Sequence, residues 1–364
     1  MAFDSAGQRC SALRVLCVQE EAADRVLQML LGAMAQLRLG DPQHLSTDVG
    51  PVIDGPAQAV IQAHVEAMRQ RGRRVHQISA PPDQPLDHGH FVRPTVIEIE
   101  ALDELQREVF GPVLHVLRYR GDDLPGLLRQ INATGYGLTL GLHTRIDETV
   151  SEVERAAKVG NLYVNRSMVG AVVGVQPFGG QGLSGTGPKS GGPLYLYRLL
   201  SQAPPDVLSR AQRVASAPLP GPTGERNLYR LVPRDGVLCL AEDDTDRQRQ
   251  LDAVLAVGSR ALWPAQAKTR AHWQRLPRDV QARVSLVDDW SAQGTPFDAV
   301  LLHGTPEELI AVQQVLAGRE GPVVSVERLA PGDPAVPLER LVLERSVSIN
   351  TAAAGGNPGL MAMA

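Results

Sequence analysis

The chain has 364 residues, 43% of them hydrophobic and 21% charged, with a net charge of −4, enough for about two domains that each bury a core. That balance offers no clustered positive charge for nucleic acid or for an anionic membrane, and no stretch approaches the ~20 apolar residues of a membrane helix. Three cysteines, Cys10, Cys17 and Cys239, are too few and too scattered for a disulfide framework, so a cytoplasmic protein is expected, without nucleic acid or a membrane span. In chain order, Leu13 to Val18 predicts a buried strand. Glu20 to Leu37 follows as a helix, with Ala23, Val26, Leu27, Leu30 and Met34 at helical spacing. Val52 to Asp54 is a short extended piece leading into a helix through Ala57 to Arg69. Val92 to Ile99 and Pro112 to Tyr119 are strand candidates rich in β-branched residues. Asp122 to Asn132 and Asp147 to Val159 predict helices flanking a strand at Leu138 to His143. Strands alternating with helices predict an α/β protein with a mostly parallel sheet. From about Ser201 to Gly224 Ala, Pro, Ser and Gly dominate, as in a linker. Beyond it, Asn227 to Val232 and Gly236 to Leu240 predict a hairpin around Pro233-Arg234-Asp235-Gly236. A helix at Asp244 to Ala256, a strand at Ala299 to His303, a helix at Pro306 to Leu316 and a strand at Pro322 to Val326 complete a second α/β unit, which holds all three tryptophans.

The chemistry is concentrated near the N-terminus. Phe3-Asp4-Ser5-Ala6-Gly7-Gln8-Arg9-Cys10-Ser11-Ala12 sets a cysteine on a small-residue turn, where a thiolate has room for a substrate; the alternative is a buried structural cysteine. Downstream come Glu108-Val109-Phe110-Gly111-Pro112, Gly135-Tyr136-Gly137-Leu138, Gly160-Asn161-Leu162-Tyr163-Val164-Asn165 and Gln176-Pro177-Phe178-Gly179-Gly180. In this order the motifs resemble the aldehyde dehydrogenase superfamily. The Gly7 to Ser11 context, the loop Gly170-Ala171-Val172-Val173-Gly174 and the run Gly185 to Pro193 are similar to one branch of it, the L-glutamate gamma-semialdehyde dehydrogenase part of the proline utilization A flavoproteins.

The resemblance implies a catalytic half of that fold over residues 1–203, a linker at 204–224, and a second, smaller non-catalytic α/β domain of the same superfamily at 225–345. The tail at 346–364 echoes Leu162 to Ala171, by chance or as a degenerate internal copy, and is expected to be a lid over the active site. In that superfamily most of the cofactor lobe precedes the cysteine, and only nine residues do so here. The chain is therefore expected to be an N-terminally truncated portion of a longer protein, homo-oligomeric when complete and inactive without its upstream half. The missing part would carry a proline dehydrogenase domain with FAD.

Cys10 is the expected nucleophile, attacking L-glutamate 5-semialdehyde to give a thiohemiacetal, then a thioester that water hydrolyses to glutamate, with NAD as the oxidant. Glu108 is expected to accept hydrogen bonds from the ribose hydroxyls of the cofactor, as a carboxylate can, with Phe110 packed beside it. Substrate selection is assigned to Arg9, Ser11, Gly170, Ala171 and Phe178, with loop organisation as the alternative role for Arg9. No metal is expected: His88-Gly89-His90 reads as an exposed loop and Arg71-Gly72-Arg73-Arg74 as a solvated helix end. Gly180-Gln181-Gly182-Leu183-Ser184-Gly185 fits G-x-G-x-x-G but precedes no helix, and Gly187-Pro188-Lys189-Ser190 has proline where a phosphate loop needs glycine. The competing reading is a non-catalytic scaffold fragment of the same fold.

Overall fold

A computed structural model describes residues 1–79, 88–200, 204, 207 and 218–352. They form two compact units. One comprises Met1–Thr134, Thr144–Ala157 and Ser167–Gly170, and the other Gly135–His143, Lys158–Arg166 and Ala171–Ala364.

The first unit is built on β1 (Val15–Gln19), β2 (Val75–Gln77), β3 (Thr95–Ile99) and β4 (Val113–Tyr119), in the order β1-β4-β3-β2. β4 pairs in parallel with β1 and β3, and β2 closes the edge antiparallel. Four helices belong to it: α1 (Glu20–Met34), α2 (Gly55–Gln70), α3 (Leu124–Ala133) and α4 (Asp147–Ala156). Asp54 caps α2 by accepting from the Ala57 N–H at 2.8 Å, and Pro56 fits the first turn because no N–H is needed there. Val96, Ile97, Val113 and Leu114 are buried in the centre of the sheet, with Ala23 and Leu27 of α1 and Ile61, Val65 and Met68 of α2 in the same core. β-branched residues dominate because the central strands are covered and must fill a pleated surface without voids.

The second unit holds β5 (Tyr136–Gly137), β6 (Thr139–Leu142), β7 (Asn161–Val164), β8 (Gln181–Gly182), β9 (Pro218–Leu219), β10 (Glu225–Pro233), β11 (Val237–Ala241), β12 (Ala261–Pro264), β13 (Val284–Val287), β14 (Ala299–His303), β15 (Ser325–Leu329) and β16 (Val342–Asn350). Two five-stranded sheets result, β6-β7-β16-β10-β9 and β13-β12-β11-β14-β15, with β5 and β8 forming a small ribbon. The second sheet is parallel throughout.

Two expectations differ from this arrangement. The strands flanking Pro233 to Gly236 exist but do not form a hairpin, because β10 pairs with β16 and β9 while β11 pairs with β12 and β14. The Asp-Gly turn carries the chain from one sheet to the other: Arg234 N bonds Leu341 O at 3.2 Å and Gly236 N bonds Asp298 Oδ1 at 3.3 Å. Likewise, Ser346 to Asn350 lie inside a sheet as the end of β16, in register with β7 through Ser346–Asn161 and Ile349–Val164. All nine residues of β16 also pair with β10, so this stretch is an interior strand between two partners. The rest of the expected lid, from 353 on, lies outside the described residues, as does most of the expected linker at 204–224.

Candidate active site

In the first unit the loop before β1 is wound tightly. Ser5, Ala6 and Gly7 all take left-handed φ, at 52°, 52° and 66°, costly for the first two, as neither is glycine. Gly7 is required twice over, since a Cβ there would lie 2.1 Å from Gly111 O. The Ala12 N–H closes the following turn on Arg9 O at 3.0 Å, and Cys10 sits exposed upon it. Gln8 anchors the loop from the other side, its Oε1 accepting from the Ile53 N–H at 2.9 Å. Exposure removes the buried structural alternative for Cys10. Cys17 and Cys239 are buried more deeply, and burial pushes both thiols up to about 12.

Glu108 and Phe110 meet this loop through a residue to which sequence reasoning gave no role. Arg14, on the approach to β1, donates from Nη1 to Gly7 O at 2.6 Å and from Nη2 to Arg9 O at 3.0 Å. Its Nε donates to Glu108 Oε1 at 3.0 Å, and its guanidinium carbon lies 4.5 Å from the Phe110 ring centroid. Burial pushes the Arg14 guanidinium below its usual range, opposed by the neighbouring Glu108 and Cys10. The available signal was an arginine inside a run otherwise read as a buried strand. Phe110 remains 44% exposed. Glu108 Oε2 accepts no hydrogen bond among the described residues. A half-exposed carboxylate with one free oxygen beside an exposed aromatic face fits a vicinal diol such as a ribose.

The substrate expectations have mixed placements. Arg9 is exposed, and its Nε donates to Ser5 Oγ at 3.0 Å, the loop-organising alternative. Ser11 is buried. Gly170, with φ 82°, ends the last segment of the first unit, whereas Ala171 and Phe178 belong to the second.

Phe178 is held within a dense polar network. It exchanges backbone hydrogen bonds with Ser190 at 3.0 and 2.8 Å. On either side of it, Asn161 Nδ2 donates to Pro177 O at 3.0 Å and Gly179 N donates to Asn161 Oδ1 at 3.2 Å. Ser346 Oγ of β16 donates to the same Pro177 O at 2.7 Å. Buried Lys189 donates from Nζ to Asn161 Oδ1 at 2.7 Å and to Gly179 O, while its backbone N–H donates to Glu344 Oε2 at 2.5 Å. Tyr229 OH donates to Glu344 Oε1 at 2.6 Å. Burial lowers the Lys189 ammonium to about 7 and raises the Glu344 carboxyl. The Gly187 to Ser190 segment is thus a structural clasp, in keeping with its rejection as a phosphate loop.

The parallel sheet offers a second place to look for a dinucleotide, at the reversal of strand order between β11 and β14. There the chain reads Glu242-Asp243-Asp244-Thr245-Asp246, so carboxylates stand where a phosphate would need bare N–H groups. Asp243 accepts from Thr245 N at 2.7 Å, and Asp246 is buried, paired with Arg249 at 2.8 Å and Gly332 N at 2.8 Å. Arg247 and Gln250 are buried too, bonding Ala241 O and His303 Nδ1 at 2.8 and 2.9 Å. The protein's own side chains occupy this crevice.

Residues 1–202 match the aldehyde dehydrogenase family profile. The bifunctional protein PutA of Salmonella typhimurium is 52% identical over 99% of this chain, which amounts to 31% of that protein. A 1-pyrroline-5-carboxylate dehydrogenase of Geobacillus thermodenitrificans is 38% identical over 54% of this chain and 37% of its own length. The chain thus spans about a third of the length of these relatives. Among solved structures, a mutant proline utilization A from Bradyrhizobium japonicum superposes with TM-score 0.51 and 54% identity, over 54% of this chain and 19% of that one. Proline utilization A from Corynebacterium freiburgense shares the fold over 96% of this chain and 36% of that one, with TM-score 0.69 and 22% identity. The exposed thiol, its wound loop and the segment from Glu108 to Gly111 all fall within the matched residues, and the chain belongs to the aldehyde dehydrogenase family.

Proposed function

We infer that the chain supplies the thiol-bearing part of an NAD-dependent dehydrogenase that oxidises L-glutamate 5-semialdehyde to glutamate in proline degradation. The observation that carries this reading is Cys10, an exposed thiol on a left-handed turn tied through Arg14 to Glu108. The names of the PutA and pyrroline-carboxylate dehydrogenase relatives support the substrate class.

The Cys10 thiolate adds to the aldehyde carbon and forms a C–S bond, and the carbonyl oxygen becomes an oxyanion. A backbone N–H near the thiol suits that oxyanion, and each such preorganised donor contributes about 3 kcal/mol. A nicotinamide dinucleotide supplies the two-electron acceptor when bound, with Glu108 and Phe110 as its holding residues in this chain. The C–H bond of the adduct breaks with loss of hydride to that acceptor and leaves a thioester; water attacks its carbon, the C–S bond breaks, and Cys10 is regenerated as the acid leaves.

The test joins this chain to the preceding cofactor lobe of the Salmonella relative and follows NAD reduction with L-glutamate 5-semialdehyde. Turnover that disappears in Cys10→Ser is expected. A folded chimera with no turnover would leave the scaffold reading in its place, and turnover that survives Cys10→Ser would remove Cys10 from the chemistry.

A further inference from the structure

Arg14 makes five contacts around the thiol turn. Through its two terminal nitrogens it reaches the carbonyls of Gly7, Arg9 and Gly111, at 2.6, 3.0 and 3.4 Å. Through Nε it holds Glu108, and through its face it covers Phe110. The guanidinium is planar, with five donors in a fixed fork, so these contacts cannot be adjusted independently. A turn of the Glu108 carboxylate pulls on Nε, and the same rigid plane then moves against Gly7 O and Arg9 O, the two carbonyls that frame the thiol turn. The backbone on either side is unyielding. Gly7 meets Gly111 too closely for any side chain, and Arg14 O accepts from both the N–H and Nδ1 of His115, at 2.9 and 3.2 Å, which pins the start of β1.

We propose that Arg14 is a positioning residue that couples the two halves of the site, so that the state of the Glu108 carboxylate sets the reactivity of the Cys10 thiol. The coupling rests on the functional reading above for its purpose but not for its test. A ligand whose hydroxyls donate hydrogen bonds to Glu108 shifts that carboxylate, and Arg14 passes the shift to the turn carrying Cys10. The thiol then becomes most reactive when the diol-binding side is filled. In the same loop Asp4 pairs with the N-terminal amine at 2.9 Å, and Arg9 is engaged by Ser5 rather than by Glu108.

The experiment measures alkylation of Cys10 by iodoacetamide in this whole chain, with Cys10→Ala giving the background from Cys17 and Cys239. Four proteins form the cycle: parent, Glu108→Gln, Arg14→Gln and the double variant. Alkylation needs neither cofactor nor aldehyde, so a failed dehydrogenase assay would leave its result intact. Glu108→Gln is expected to change the rate by about threefold. In the Arg14→Gln background the same substitution should change it by less than about 1.5-fold, and the pH profile of Arg14→Gln should lie above that of the parent. Two rate effects that simply multiply, or a thiol indifferent to both substitutions, would overturn the coupling. Should Arg14→Gln fail to fold, Arg14→Lys takes its place: it keeps the charge but not the fork, and a Glu108→Gln effect of undiminished size in that background would equally overturn the proposal.

Discussion

Lowering the pH should weaken the first unit through one buried pair of histidines. His64 on α2 and His115 on β4 approach Nε2 to Nε2 at 2.9 Å. His115 Nδ1 lies 3.2 Å from Arg14 O, an acceptor, so Nδ1 carries the proton, Nε2 of His115 accepts, and His64 donates. His115 is therefore neutral in the folded state. Burial lowers His115 to about 4, helped by His64, and burial also lowers His64, with Arg71 and Arg107 adding to it. A folded pKa below the unfolded value near 6.5 means that the unfolded chain takes up the proton first. The stability is present above pH 6.5 and is lost as the pH falls towards 4. With His115 at about 4, the unfolding free energy should drop by about 1.3 kcal/mol between pH 7.5 and 5.5 from this residue alone. The three tryptophans all lie in the second unit, so fluorescence would not report the change. Hydrogen exchange of the amides of β3 and β4 would. His115→Leu leaves Arg14 O one donor short and should cost about 1 to 3 kcal/mol at pH 7.5, with the gap to the parent narrowing by about 1.3 kcal/mol at pH 5.5. A gap that stays constant, or widens, would refute the assignment of a neutral His115 that accepts from His64.

Gly7→Ala meets both a left-handed φ of 66° and a carbonyl 2.1 Å from the new Cβ; it should cost at least about 2 kcal/mol and slow Cys10 alkylation, both measurable in one thermal and one kinetic series. Lys189→Met removes two hydrogen bonds from the clasp beside Phe178 and should destabilise the second unit by about 1 to 3 kcal/mol by tryptophan fluorescence. Because the Lys189 ammonium is lowered to about 7, the unfolded chain holds the extra proton above that pH. The parent should then gain about 2.5 kcal/mol relative to the variant between pH 7.5 and 9.5.

Much of the site was legible because its chemistry is local. A cysteine between small residues, a Glu-x-Phe-Gly-Pro segment and the Gly-Asn and Pro-Phe-Gly-Gly turns carry their meaning in adjacent residues, since tight turns constrain which side chains can follow one another. Strands such as Ala299–His303 and helices such as Asp244–Ala256 were equally plain, as period and capping are written into short windows. Sequence could also reject Gly187 to Ser190 as a phosphate loop from its proline. Which elements meet was a different matter. An Asp-Gly turn between two apolar runs allows a hairpin but does not require one, and only the nine-residue ladder between β10 and β16 decided against it. The end of β16 pairs with Asn161–Val164 over more than 180 residues of chain, a distance at which no local pattern specifies a partner. The same is true of Arg14 and Glu108, 94 residues apart. An arginine's identity shows that it must find acceptors if buried, but only the folded backbone decides that they are the carbonyls framing a thiol and the carboxylate beside it.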